Sequence, residues 1–199
     1  KNQLQWTKTD LFLNLLPNAY VIHILRDPRN VLASFKYKTY SKYPACLTSI
    51  FNSLDAMNNI MQNNKKFKKK FICLKYEDLI QNPQKSMNTI FKFLNVKKIK
   101  IDSRKKKYNY LGRKWVVNSS FQNKIKYNSE FNIQDSLNSY KQYLNKNELY
   151  LTELICGDMM KKFGYSLNKV DNNIPNKEIN KIIKGNKLLE YGYKNWKKK

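Results

Sequence analysis

The stretch Ala19–Ser34, AYVIHILRDPRNVLAS, limits the fold more than any other part of the chain. Tyr20–Leu25 is a short apolar run rich in β-branched residues and reads as a buried strand. Arg26, Asp27 and Pro28 end it. Asp27 is a good helix N-cap, and the fixed φ of Pro28 suits a first helical position. From Arg29 the apolar residues Val31, Leu32 and Phe35 recur at helical spacing. A strand that turns directly into a helix belongs in an open α/β sheet, and ligands bind at such junctions. Free backbone N–H groups there favour an anion. Arg26 stands at the mouth of the strand, and Ser34 lies two turns into the helix, near the face of its opening turn. Both are placed to reach one phosphate.

The same rhythm returns downstream. LQWTKTD reads as a short strand ending in Lys8-Thr9-Asp10, and Asp10 can cap a helix over Leu11–Leu16 that Pro17 stops. Helices are expected over Arg29–Tyr40 and Cys46–Asn63, the latter with Leu47, Ile50, Phe51, Leu54, Met57 and Met61 at core spacing. Phe71–Tyr76 is a second apolar strand, ended by Glu77-Asp78-Leu79, and Asn82-Pro83 starts a helix over Gln84–Leu94. Helices follow over Ile133–Tyr143 and Glu148–Phe163, the second stopped by Gly164. A surface helix over Glu178–Leu189 and a frayed end at Trp196–Lys199 complete the chain. Strand, turn and helix alternating in this way predict an α/β domain with a parallel sheet covered on both faces. The domain is expected over 1–168, with a basic, partly helical extension over 169–199.

Composition narrows the function classes. The formal charge of +25 invites a nucleic-acid reading. The lysines, however, fall in many short clusters rather than one stripe, and Asn, Ile, Tyr, Phe and Lys are over-used together. General surface lysine is therefore favoured over a specific nucleic-acid footprint. Cys46, Cys73 and Cys156 are odd in number and widely spaced, which suits neither a disulfide framework nor a metal site. Cys73 and Cys156 sit in apolar contexts and read as buried thiols. The single histidine, His23, lies mid-strand and reads as a core residue pointing away from the strand end, so no metal is expected. No apolar run approaches the roughly 20 residues of a membrane span. A cytoplasmic location is favoured.

The segment IHILRDPRNVLAS resembles the 3′-phosphate-binding segment of sulfotransferases that use 3′-phosphoadenosine 5′-phosphosulfate. In that family a strand ends in Arg, a Pro-containing turn follows, and a helix Ser lies eight positions after the Arg, as Ser34 does after Arg26. A planar guanidinium can hold two oxygens of a phosphate dianion, with a hydroxyl adding another donor. LKYEDLIQNPQKSMNTIFKFL resembles the family's Tyr-Glu-Asp-Leu segment, which places Tyr76 beside the adenine. Glu77 and Asp78 read as structural. RKWVVNSSF resembles a late loop of bacterial-type members, making Arg113, Lys114 and Ser119 further candidates for the nucleotide. Met-Met-x-x-Phe-Gly-Tyr ending at Tyr165 resembles the close of the domain.

The resemblance implies a P-loop-NTPase-like parallel sheet flanked by helices and transfer of a sulfuryl group from 3′-phosphoadenosine 5′-phosphosulfate to a hydroxyl or amine of a carbohydrate, lipid or small-molecule acceptor. It also implies a partial domain. The family's first strand and its Gly-containing loop around the 5′-phosphosulfate have no counterpart before Arg26. LQWTKTD instead resembles the next landmark, a Glu-Lys-Thr-Pro or Lys-Thr-His segment. There Lys8 matches a residue that offsets charge on the bridging oxygen, and Asp10 stands near the usual base, though it serves equally well as a helix cap. Two alternatives remain at this stage. One is a non-catalytic basic module that binds polyanions or nucleotides. The other is a different P-loop-like nucleotide-binding transferase, although GxxxxGK[ST] is absent.

Overall fold

The computed structural model describes residues 5–37, 44–101, 109–110, 113–114, 133–168 and 175–198. Two parallel strands lie at its centre, β1 (Val21–Leu25) and β2 (Phe71–Lys75). Val21 stands opposite Phe71 and Leu25 opposite Lys75. The crossover between them carries α2 (Pro28–Tyr37), a 3₁₀ turn (Ala45–Leu47) and α3 (Thr48–Lys66). Before β1 come a 3₁₀ turn (Gln5–Lys8) and α1 (Thr9–Leu15). After β2 come α4 (Tyr76–Gln81) and α5 (Pro83–Phe93). A short antiparallel pair follows, β3 (Asn109–Tyr110) with β4 (Arg113–Lys114). The chain then runs through α6 (Ile133–Tyr143), α7 (Lys146–Lys162), α8 (Asn176–Ile183) and α9 (Lys187–Lys197).

Local chemistry accounts for most of these boundaries. Pro28 opens α2, and the Asp27 carboxylate accepts the Arg29 N–H at 2.9 Å. Asn145 and Glu148 form a reciprocal capping box at the start of α7. The buried Glu148 carboxylate also pairs with Lys36 of α2 at 2.8 Å. Gly164, at φ 74°, ends α7 in the left-handed region where a Cβ would be strained. The core is built by α2, α3, α7 and α9, with Leu32, Ile50, Met57, Met160 and Leu189 fully buried.

Several expectations need correction. Most described residues are helical, and the parallel sheet has two strands among them. Among the described residues, one face of that sheet is covered. Val21, His23 and Leu25 turn inward, whereas Ile22 and Ile24 are exposed, so the alternation of the strand outweighs its apolar composition. From Gln5 to Asp10 the LQWTKTD segment forms a 3₁₀ turn and the start of α1 instead of a strand. Lys8 takes the cap position, and Asp10 sits inside the first turn, where its charge suits the helix dipole. Glu77-Asp78-Leu79 does not simply end a strand but belongs to α4, favoured by two acids in its first turn. The single helix expected over Glu178–Leu189 is broken in two at Gly185, which has φ 92°. The frayed end is helical: α9 reaches Lys197, and Trp196 packs on Tyr193 at 5.5 Å. No helix among the described residues is long and apolar enough to cross a membrane.

Gly192 sets how closely α9 approaches α3. A Cβ built there would stand 2.8 Å from Phe51 Cδ2 and 3.0 Å from its Cγ. Gly192→Ala gains about 1 kcal/mol of helix propensity but overpacks against a ring, which costs about 1–3 kcal/mol. The variant is expected to unfold at lower urea concentration than wild type, and Phe51→Leu in the same chain should restore part of the loss. At Gly157 the nearest atom would be a flexible Leu167 methyl at 3.3 Å, so Gly157→Ala should be tolerated.

Candidate functional site

The site is the junction where β1 turns into α2, and Asp27 organises it. Its backbone N–H donates to Glu77 Oε1 at 3.0 Å. Its carboxylate accepts the Arg29 backbone N–H and makes a bidentate pair with the Arg29 guanidinium, Oδ2 lying 2.6 Å from Nη2. Two N–H groups at the strand–helix turn are therefore already satisfied. The expectation of free backbone donors is corrected accordingly: an anion arriving here meets side chains more than helix N–H groups.

The two arginines of RDPR are placed very differently. Arg29 is buried between two carboxylates, Asp27 and Glu153, the latter at 2.8 Å, and its guanidinium stacks 4.6 Å from the Tyr140 ring centroid. Burial works against its charge, but the Asp27 carboxylate, with Tyr140 and Glu153, more than offsets this and raises its pKa above the ordinary arginine value. Arg29 is a structural ion-pair centre.

Arg26 has no carboxylate within ion-pair distance among the described residues. Its Nη2 donates to the Ser136 carbonyl of α6 at 3.0 Å, its guanidinium lies 4.8 Å from the Tyr76 ring centroid, and its Nε is buried without a partner. A cation with unused donors stands at the carboxyl end of β1.

Tyr76 opens α4 at the matching end of β2, half-buried under Arg26. The next residue, Glu77, ties three segments together. It accepts the Asp27 N–H and, at 2.9 Å, the Tyr165 hydroxyl. Burial and the Glu77 carboxylate push the Tyr165 hydroxyl well above the ordinary phenol range, so it remains a donor. Lys75 stands over the Tyr165 ring at 5.2 Å. Glu77 is thus structural, as its position beside the sheet suggests.

The remaining candidates are spread out. Ser34 is half-buried on α2, on the same helical face as Asp27 and Val31. Lys8 is exposed. Asp10 is exposed and pairs with Lys66 at 2.5 Å. Lys66 ends α3, on the side where β2 begins, so the pair stands at the opposite end of the sheet from Arg26. The backbones of Arg113 and Lys114 form β4, their side chains lie outside the described residues, and so does Ser119. His23 is half-buried, its ring 6.2 Å from that of Phe71, and burial lowers its pKa. Cys46 and Cys156 are buried and Cys73 is half-buried. Burial raises all three thiols, Cys73 to about 11, so none is a ready nucleophile.

Asn30 has no functional signal in the sequence, yet it is almost wholly buried and fully used. Its Nδ2 donates to the Leu137 carbonyl at 2.8 Å, and its Oδ1 accepts from Ser139 and from the Tyr140 N–H. It fixes α6 against α2 and so holds Ser136 beside Arg26. Glu153 and Ser136 were equally invisible in the sequence, and Tyr165 showed there only as the close of the domain, not as a partner of Glu77. Their partners lie far along the chain, and only an isolated polar residue amid a core stripe, such as Asn30, offers a clue.

A family model described as the sulfotransferase family matches residues 1–99, which include Arg26, Ser34 and Tyr76. No curated protein matches the chain, and no solved structure does.

Two outcomes follow from the buried charges. Asp27→Ala leaves the buried Arg29 with Glu153 as its one carboxylate and removes the α2 cap, and should destabilise the fold by up to about 3–5 kcal/mol, whereas Arg26→Ala should cost under about 1.5 kcal/mol. Urea unfolding of the two variants checks this contrast. His23 binds its proton more weakly folded than unfolded, so the unfolded chain takes up more protons as pH falls through 6.5. Stability should therefore decline with falling pH just below that value, and His23→Leu should flatten this part of the profile.

Proposed function

We infer the function from the premise that residues 1–99 belong to the sulfotransferase family: the domain binds 3′-phosphoadenosine 5′-phosphosulfate at the end of β1 and serves transfer of its sulfuryl group to a hydroxyl or amine. Arg26 carries this reading. It is the one arginine of RDPR that the fold leaves without a carboxylate among the described residues, and its Nε has no partner there. A guanidinium in that state suits the 3′-phosphate dianion, with the Ser34 hydroxyl as a further donor. Tyr76, already stacked against Arg26, offers its ring to the adenine. The P-loop-like α/β fold belongs to the same reading, supported by the parallel β1–β2 pair and its helical crossover. Arg113, Lys114 and Ser119 are proposed as additional nucleotide contacts, on the resemblance of their loop.

When bound, the donor would supply a sulfuryl group: the acceptor oxygen or nitrogen bonds to sulfur in line as the S–O bond to the bridging oxygen breaks, adenosine 3′,5′-bisphosphate leaves, and the acceptor proton passes to a base or to water. The residues here act by binding and orientation. Arg26 and Tyr76 fix the adenosine half, so the reactive end points beyond the β1–α2 junction. Asp27 and Glu77 act indirectly: they hold the strand end that aims Arg26. Asp10 is assigned no role as base, because its ion pair with Lys66 stands at the other end of the sheet. For the same reason Lys8, two residues earlier, is not placed at the bridging oxygen.

Calorimetric titration with adenosine 3′,5′-bisphosphate tests the assignment. Arg26→Ala should weaken binding about tenfold or more, since a charge-assisted contact is worth about 1.5–3 kcal/mol. Arg26→Lys should recover little of it, because the planar fork is lost. Tyr76→Leu should weaken binding by a smaller factor. Unchanged affinity in Arg26→Ala would overturn the reading.

A further inference from the structure

A second surface lies at the far end of the sheet from Arg26, where α1 meets the turn between α3 and β2. On α1 the side chains of Leu11, Phe12 and Leu15 share one face, and Leu16 continues it past the last turn. All four are exposed, Leu11 by 55% and Leu15 by 68%, while Thr9 and Leu13 are the residues that the helix buries. Among the described residues no other helix leaves so many large apolar side chains in water. A clustered apolar face of this kind marks an interaction surface.

Lysines stand beside it. Asp10, in the first turn of α1, pairs with Lys66 at the end of α3 at 2.5 Å. That contact sets α1 against the run Lys65-Lys66-Phe67-Lys68-Lys69-Lys70, which closes α3 and turns into β2. Beyond the other end of α1, the Ala19 N–H returns to the Leu16 carbonyl at 3.0 Å, and the Val21 N–H donates to the Lys70 carbonyl at 2.8 Å. The lysine turn is thus fastened to the chain on both sides of the apolar face. Lys65, Lys66, Lys68 and Lys69 are exposed, as is Lys8 just before the helix.

We propose that this face docks on a membrane surface bearing anionic lipid headgroups. The helix lies in the plane of the surface: its leucines and Phe12 enter the boundary of the acyl chains, and the lysines reach the phosphates above it. Long lysine stems allow this, because they lie along apolar surface while their ammonium groups stay in the polar layer. Both halves of the patch are then used. A nucleic acid would engage the lysines and leave Leu11, Leu15 and Leu16 in water. A second copy would bury the leucines but bring two lysine runs together, where like charges repel. The lipid is a support here and not an acceptor, since β1, five residues or about 16 Å long, separates the face from Arg26. Docking is read by binding alone, so it stands or falls independently of the donor nucleotide.

The test sediments the full chain, at physiological ionic strength, with vesicles of phosphatidylcholine and with vesicles of equal phosphatidylcholine and phosphatidylserine. Wild type should bind the mixed vesicles, and the phosphatidylcholine vesicles about tenfold or more weakly. Leu11→Ser combined with Leu15→Ser should weaken binding to the mixed vesicles about tenfold or more, and both positions are exposed enough to leave the fold intact. Changing Lys65, Lys68 and Lys69 together to Gln should do the same. Two controls sit on α8 and α9: Leu188→Ser, also exposed, and Lys181, Lys187 and Lys194 changed together to Gln. Each should alter affinity less than about twofold. The emission that Phe12→Trp adds to the wild-type spectrum should shift to the blue on mixed vesicles, a sign of insertion that adsorption by charge alone does not give. Failure of wild type to bind the mixed vesicles, undiminished binding by the serine pair, equal losses in the two lysine triples or an unshifted Phe12→Trp would each overturn the proposal. Tighter binding of a single-stranded oligonucleotide than of the mixed vesicles would give the lysines to nucleic acid, and a wild-type dimer lost in the serine pair would give the leucines to a second copy. Either result overturns it as well.

Discussion

The Asp27 carboxylate is the group on which the rest of the arrangement depends. It caps α2, it neutralises Arg29, and through its own N–H it is held by Glu77. Each of these contacts would be modest at a surface. In the interior they are coupled, because a buried guanidinium without its carboxylate is far more costly than an exposed one. The β1–α2 corner is consequently stiff, and stiffness is what a strand-end arginine needs to present its donors in a fixed direction.

That corner also explains how one tetrapeptide yields two roles. Arg26 and Arg29 bracket the same Asp-Pro pair, yet the proline turn directs Arg29 back toward Asp27 and Glu153 and leaves Arg26 at the strand mouth. The buried anchor and the arginine with a spare donor stand three positions apart. The network that serves the first protects the second from being neutralised by its neighbours.

The periodic parts of the chain were legible. β1, β2, α2, α3, α5, α6 and α7 follow from apolar spacing, Asp27-Pro28, Pro83 and Gly164, because these are local signals. Arg26 was marked by its place at the strand mouth and Tyr76 by the resemblance of its segment to the sulfotransferase family, and the structure brings them into contact. What failed was of two kinds. Short helices such as α4 carry too few residues for a period to show. The exposed side of β1 looked buried, since Ile22 and Ile24 say nothing about how many layers surround a strand. The carboxyl-terminal partners of Arg29, Asn30 and Glu77 could not be read at all. They lie 124, 107 and 88 positions away, and a polar side chain gives no address for a partner at that range.

Those separations have a consequence for how the chain is made. Closing a loop of about a hundred residues costs on the order of 4 kcal/mol of entropy before any contact is formed. During synthesis β1 and α2 leave the ribosome long before α6 and α7 exist. In that interval Arg29 has Asp27 but not Glu153, and Asn30 has neither carbonyl nor N–H from α6. The ion-paired corner is therefore completed among the last, when the carboxyl-terminal half arrives to cover it.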